Sequence, residues 1–172
     1  FLLASWLPTE IQRLGATAGM AIIVGTLFQF GGVFGILSGW LADRIGAAAA
    51  LALSYLLGAL CLAAVAFAGT NVPLAMLAVF GAGVGLIGGQ SLTNATAAII
   101  YPTEIRSTGI GWATGLGRVG SIIGPAVAGY LHAMNAAAAT IFLLATIPAL
   151  CAAIAAANLG TLRTAVMTQA PS

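Results

Sequence analysis

Charge is what this 172-residue chain has least of: five Lys or Arg, three Asp or Glu and one His, or 5% charged residues. Soluble domains carry about 25%. Eight charged side chains cannot cover the exterior of a soluble domain of this size, so the chain must be solvated largely by lipid. An apolar share of 61% and a mean hydropathy of +1.12 agree. The net charge of +2 rests on too few groups to argue for nucleic acid, and basic patches interleaved with aromatics are absent. Cys61 and Cys151 lie far apart inside apolar runs and read as packing residues. No C-x-x-C metal spacing occurs. No nucleophile–base pair or metal cluster can be assembled from such a set, and the one histidine, His132, is peripheral. An enzyme is therefore a poor reading, and no cofactor or metal is expected. The opening "FLLASWLP" is too short to span a bilayer and lacks the basic start of a signal peptide. A fragment truncated inside a preceding helix is the expectation.

What is present is long apolar helix-forming sequence. A bilayer core about 30 Å thick needs roughly 20 apolar residues as helix. Thr17 to Ala42 is uncharged. So is Ile45 to Thr103, broken at "GTNVP" (Gly69–Pro73). Ser107 to Leu162 holds only Arg118, with a break near "HAMNAAAAT" (His132–Thr140). Five full spans are expected, over about 17–42, 46–68, 73–100, 107–131 and 138–160, with a tail at 161–172. Alternating them places Arg44, Arg106 and Arg163 on one side and Arg13 alone on the other. The positive-inside rule then puts "ADRIG", "YPTEIRSTG" and the C-terminus in the cytoplasm. Trp6, Trp40 and Tyr101 fall near the expected membrane borders, where amphipathic rings belong.

The 23 glycines sit within spans rather than between them. Gly31/Gly35/Gly39, Gly81/Gly85/Gly89, Gly111/Gly115 and Gly120/Gly124 are small-xxx-small pairs that let helix backbones approach closely in lipid. Tight packing is the plainer reading, and a surface along which helices slide is the sharper one. "GLGRVG" (Gly115–Gly120) spells a dinucleotide-binding turn. Such a turn needs a strand before it and an acid about 20 residues on. "STGIGWAT" is no strand core, and no Asp or Glu follows Glu104. The match is a coincidence of a glycine-rich helix.

Arg118 is the unusual residue of the chain. It lies eleven residues beyond Ser107, about 16 Å along a helix at 1.5 Å per residue, near the bilayer midplane. Arginine cannot shed its proton, and a cation at that depth costs about 2.5–3.5 kcal/mol on insertion scales unless it faces water or a partner. On a helical wheel Gly111, Thr114, Gly115, Ser121, Ile122, Pro125 and Gly129 share its face, and Ala113, Leu116, Ile123 and Val127 oppose it. Small neighbours leave room for an anion. The alternative is a structural pair with an acid elsewhere in the protein. Gln29 is central to the first full span, and Gln90 and Asn94, at i and i+4, share one face of the third. Either cavity lining or interhelical hydrogen bonding fits these amides.

"GWLADRIG" (Gly39–Gly46) resembles the loop motif of the major facilitator superfamily. The layout resembles that family's C-terminal six helices, beginning late in the seventh and continuing through helices 8 to 12. "SWLPTEI", "FQFGGVFGILSGWLADR" and "YPTEIRSTGIGWATGLGRVGSIIGP" are similar to its aromatic acid/proton symporter branch. The similarity covers nearly the whole chain except the Ala-rich final span. After Gly46 the chain has Ala47 and Ala48 where the fuller motif has basic residues. The resemblance implies one all-α membrane half, residues 1–172, of a twelve-helix transporter working by alternating access in the inner membrane. Its partners would be small aromatic carboxylates, protons, the lipid bilayer and an N-terminal six-helix half. Its site would lie near the midplane between the halves, with Arg118 as the family's arginine in the eleventh helix. Another organic-anion or sugar-like carrier is the nearest rival, and a non-transporting membrane assembly module the rival of another class.

The same resemblance places Gly39, Asp43, Arg44 and Gly46 in one cytoplasmic motif and Pro102, Glu104 and Arg106 in the next. Two acids and two bases at one membrane border are suited to latch that side shut in one state and part in the other, although they also serve simply to set topology. Proton coupling needs a titrating group, and no Asp or Glu sits inside a span. The proton carrier is expected in the N-terminal half, where the resemblance places aspartates on the first helix.

Overall fold

The computed structural model describes residues 12, 17–68, 71–100 and 104–168, and all regular structure among them is helical. Six helices follow in order: α1 Ala18–Phe34, α2 Ile36–Ile45, α3 Ala47–Phe67, α4 Val72–Ile100, α5 Arg106–Ala133 and α6 Ala138–Thr168. Local chemistry explains several ends. Thr17 caps α1, its hydroxyl accepting from the Met20 N–H at 3.4 Å. Asn71 does the same for α4, accepting from the Leu74 N–H at 3.3 Å, and Pro73 occupies the first turn, where its missing N–H costs nothing. Gly46 separates α2 from α3 with φ +90, a backbone that side-chain-bearing residues rarely adopt.

The uncharged run over 17–42 is one span by hydropathy but two helices by backbone. At Gly35 the ladder tightens: its N–H reaches the Gly32 carbonyl at 3.0 Å, and the Ser38 N–H reaches the Gly35 carbonyl at 2.9 Å. A Cβ on Gly35 would lie 2.6 Å from the Gly88 Cα. The break thus sits where the helix presses backbone to backbone on α4.

Four stretches among the described residues are long and apolar enough to cross a bilayer: Gly19–Ile45, Ala47–Phe67, Val72–Ala97 and Ala138–Leu159. α5, with 28 residues, has the length. Its dense Gly, Ser and Thr content and Arg118 lower its apolarity. α6 runs as helix to Thr168, beyond the end expected near 160.

Packing follows the glycines. α3 and α4 run antiparallel, since Gly81 backs Cys61, Gly85 backs Gly58 and Gly89 backs Tyr55. α1 and α4 run parallel, with Gly83 against the Phe28 carbonyl and Gly88 against Gly35. α3 packs extensively on α6. One cluster joins four helices through Val24 and Phe28, Leu62 and Val65, Val79 and Ala82, and Phe142. A second, towards the Asp43 end, joins Ala50, Leu51, Leu92 and Ala156. Polar pairs stitch the same seams. The Ser54 hydroxyl donates to Ser38 Oγ at 3.1 Å, buried between α3 and α2. Tyr55 and Thr93 hydroxyls meet at 2.9 Å. Thr93 gives its one proton to the Gly89 carbonyl at 2.8 Å, so Tyr55 is the donor.

Candidate functional site

The sequence gives α5 a small, partly hydroxylated face, and from Gly111 to Gly120 the structure leaves the helix exposed on every side, Leu116 of the opposite face included. Gly111, Gly115, Gly117 and Gly120 have nothing within 4 Å of where a Cβ would stand. α5 is exposed from Gly111 to Gly120, and its contact with α4 is small. Ala128, nearer its C-terminal end, is buried. Local hydrogen bonds satisfy the hydroxyls flanking Arg118. Thr114 donates to the Ile110 carbonyl at 2.8 Å, and Ser121 to the Arg118 carbonyl at 2.7 Å. Pro125 lacks the N–H that would bond the Ser121 carbonyl, leaving a polar backbone oxygen within one turn of Arg118.

Arg118 itself is exposed. Among the described residues it forms no ion pair, with neither Asp43 nor Glu104 as its partner. An exposed guanidinium with small residues beside it can take a planar carboxylate through two parallel N–H···O bonds, which makes arginine the better choice over lysine for such anions.

Gln90 and Asn94 share one face of α4 and are exposed, as is Gln29 on neighbouring α1. Among the described residues none of the three amides hydrogen-bonds to another helix, and none is joined to Arg118. The packed α1–α4 pair thus carries all three amides on exposed positions, while Arg118 stands on a helix of its own.

At the other end of α2, Asp43, Arg44 and Gly46 are exposed, and Gly39 has open space where a Cβ would stand. Asp43 and Arg44 do not pair with each other. The Arg44 guanidinium instead lies over the Trp40 ring, 4.8 Å from its centroid, a cation–π contact within the usual reach of about 6 Å. Glu104 is exposed and Arg106 half-buried with a partner of its own. Pro102 lies outside the described residues. Sequence reasoning had Trp40 only as a border aromatic. Its i, i+4 spacing from Arg44 is the signal that marks the contact in advance. Ser38, Ser54, Tyr55 and Thr93 were not singled out either, and nothing in their spacing reveals pairs that form between helices.

Residues 1–170 match the family model described as Major Facilitator Superfamily. The chain is similar to the gallate transporter of Pseudomonas putida, 35% identical over 156 residues, which is 90% of this chain and 35% of that protein. It is 37% identical over 156 residues to the 4-hydroxybenzoate transporter PcaK of Acinetobacter baylyi, covering 90% of this chain and 34% of that one. The benzoate transport protein of the same organism is 37% identical over 150 residues, 87% of this chain and 32% of its own. The chain therefore spans about a third of the length of these relatives. No solved structure matches it.

Proposed function

We propose that this chain, which belongs to the major facilitator superfamily, is the C-terminal six-helix half of a proton-coupled importer of aromatic carboxylates. The family and the named relatives are membrane transporters, and the chain is part of such a fold and not an enzyme. Alternating access in the cytoplasmic membrane, with the C-terminus inside, completes the reading.

One observation carries the substrate class. Arg118 is a permanent cation near the middle of a 28-residue helix, with no acid beside it among the described residues. Relatives named for gallate, 4-hydroxybenzoate and benzoate support an aromatic carboxylate as the visiting anion. A bound carboxylate offsets the cost of keeping that charge at depth, so substrate binding and the closed central state stabilise each other. Gln29, Gln90 and Asn94, whose amides bond to no other helix among the described residues, are available to ring hydroxyls. Asp43, Arg44, Glu104 and Arg106 form the cytoplasmic gate. Stacked on Trp40, Arg44 is parked away from any carboxylate, as an unlatched gate requires. Each exposed pair in such a gate is worth only about 0–1 kcal/mol, enough in combination to bias two states a few kcal/mol apart. The proton is carried elsewhere in the protein, since the described acids Asp43 and Glu104 lie at helix ends.

The test is uptake of labelled benzoate, 4-hydroxybenzoate and gallate into right-side-out vesicles holding the full-length transporter. Accumulation driven by an imposed inward proton gradient and abolished by a protonophore is expected. Uptake indifferent to that gradient removes the coupling, and uptake of a sugar with no aromatic acid removes the substrate class.

A further inference from the structure

Packing holds α5 at its ends and leaves it bare between them. Arg106, Gly109 and Ile110 are half-buried, and every residue from Gly111 to Gly120 is exposed. Burial returns with half-buried Gly124 and Pro125 and with Ala128, which is 1% exposed. The backbone is weakest where the bare stretch meets the packed one. Pro125 leaves the Ser121 carbonyl without its ladder bond, and the residue its ring crowds is Gly124. Gly120 and Ser121 form a second weak pair, with the Ser121 hydroxyl donating to the Arg118 carbonyl at 2.7 Å. Other interruptions in the described helices are locked. Pro148 of α6 lies between buried Thr146 and Ala149, and Gly35 is pressed on the Gly88 backbone. Pro125 instead has unpacked helix on one side.

The bare stretch carries Arg118, and depth sets what it can meet. α4 ends at Ile100 and α5 begins at Arg106. So short a connection between helices in contact makes them antiparallel. Counted from that turn, Arg118 stands level with Gly88 of α4. A long helical side chain leans one turn towards its own N-terminus, which brings the guanidinium level with Leu92, with Gln90 and Asn94 on either side. Those two amides bond to no other helix among the described residues.

We propose that α5 bends at Pro125 to carry Arg118 from the open position of this structure to a closed one, in which its bound carboxylate lies against the Gln90 and Asn94 face of α4. This rests on the aromatic-carboxylate reading above, and adds that movement assembles the site. Arg118 is seven residues from Pro125, about 10 Å, so a change of about 20° in the bend moves it about 4 Å. Gly111, Gly115, Gly117 and Gly120 meet nothing within 4 Å of a Cβ, so the sweep is unobstructed. Closing an empty site would desolvate a bare cation, whereas a bound carboxylate neutralises it. The anion therefore favours the closed position, and without it α5 stays open.

Pulsed EPR distances in the full-length transporter, with Cys61 and Cys151 replaced by serine, test this. One spin-label pair joins exposed Leu116 on α5 to exposed Leu53 on α3, and a control pair joins Leu53 to exposed Leu77 on α4. Benzoate is expected to shift the first distance by about 4 Å and to leave the control unmoved. Pro125→Ala restores the missing backbone bond. It is expected to abolish the shift and lower the maximal uptake rate about five-fold or more, with benzoate Kd within about two-fold of wild type. An unmoved first pair in a wild type that binds benzoate overturns the proposal. So does Pro125→Ala with a wild-type shift and wild-type uptake. If Pro125→Ala fails to reach the membrane, the wild-type pair decides alone. Should the wild type bind no aromatic carboxylate, the function above fails, and the ligand-free distances still test the bend: a distribution broader for the first pair than for the control supports it, and one equally narrow overturns it.

Discussion

Replacing Gly85 with alanine puts the packing of α3 on α4 under direct strain. A Cβ there would stand 2.5 Å from the Gly58 nitrogen, 2.6 Å from the Ser54 carbonyl oxygen and 2.8 Å from the Gly58 Cα. All three are backbone atoms, so no rotamer change clears them. Carbon atoms pack best at about 3.5–4.0 Å, which requires the helices to part by about 1 Å near this crossing. The same seam holds Gly81 on Cys61 and Gly89 on Tyr55, so the opening spreads over about one turn each way. Overpacking of this kind costs about 1–3 kcal/mol, and the better helix propensity of alanine returns about 1 kcal/mol at most. The net loss expected is about 1–2 kcal/mol. Gly39→Ala is the control, because nothing stands within 4 Å of its Cβ position. The assay is SDS-titrated unfolding of the full-length protein in mixed micelles, read by maleimide labelling of the half-buried Cys61 in a background where the exposed Cys151 is serine. Wild-type stability for Gly85→Ala alongside a destabilised Gly39→Ala would refute the close approach of α3 and α4.

Other substitutions test separate statements. Thr96 is buried with a hydroxyl that has no partner among the described residues, so Thr96→Val is neutral or stabilising by about 1–2 kcal/mol; a loss of stability in the same SDS titration contradicts it. Tyr55→Phe costs about 0.5–1 kcal/mol, because Thr93 keeps its bond to the Gly89 carbonyl; a loss several times larger means the hydroxyl pair carries more of the seam than its geometry suggests. Asp43→Asn impairs transport while membrane insertion stays normal, measured as initial uptake rate against surface level, and a wild-type rate removes the latch.

The helical membrane class was legible because it depends on what the chain lacks. With three acids and five basic residues, few solvents other than lipid are left. Glycine spacing announced close packing but not its partners. Gly81, Gly85 and Gly89 face α3, Gly31 and Gly35 face α4, and Gly39, Gly111 and Gly115 face open space, although all share one pattern. Which neighbour a small residue meets depends on how helices rotate about their axes, and that is settled by every contact along the seam. The break at Gly35 was hidden for a related reason: its cause, the Gly88 backbone, lies more than fifty residues away. Arg118 was the most conspicuous residue in the sequence, since position along a helix can be counted from the chain alone.

The most direct measurement compares Arg118→Lys with wild type for binding and uptake of 4-hydroxybenzoate by the full-length transporter. Lysine keeps the charge but offers no planar fork, so a carboxylate held by two parallel bonds loses affinity roughly ten-fold or more, a difference of about 1.4 kcal/mol or greater, with membrane level unchanged. Wild-type affinity in Arg118→Lys would contradict the account and reduce position 118 to a charge that any cation can supply.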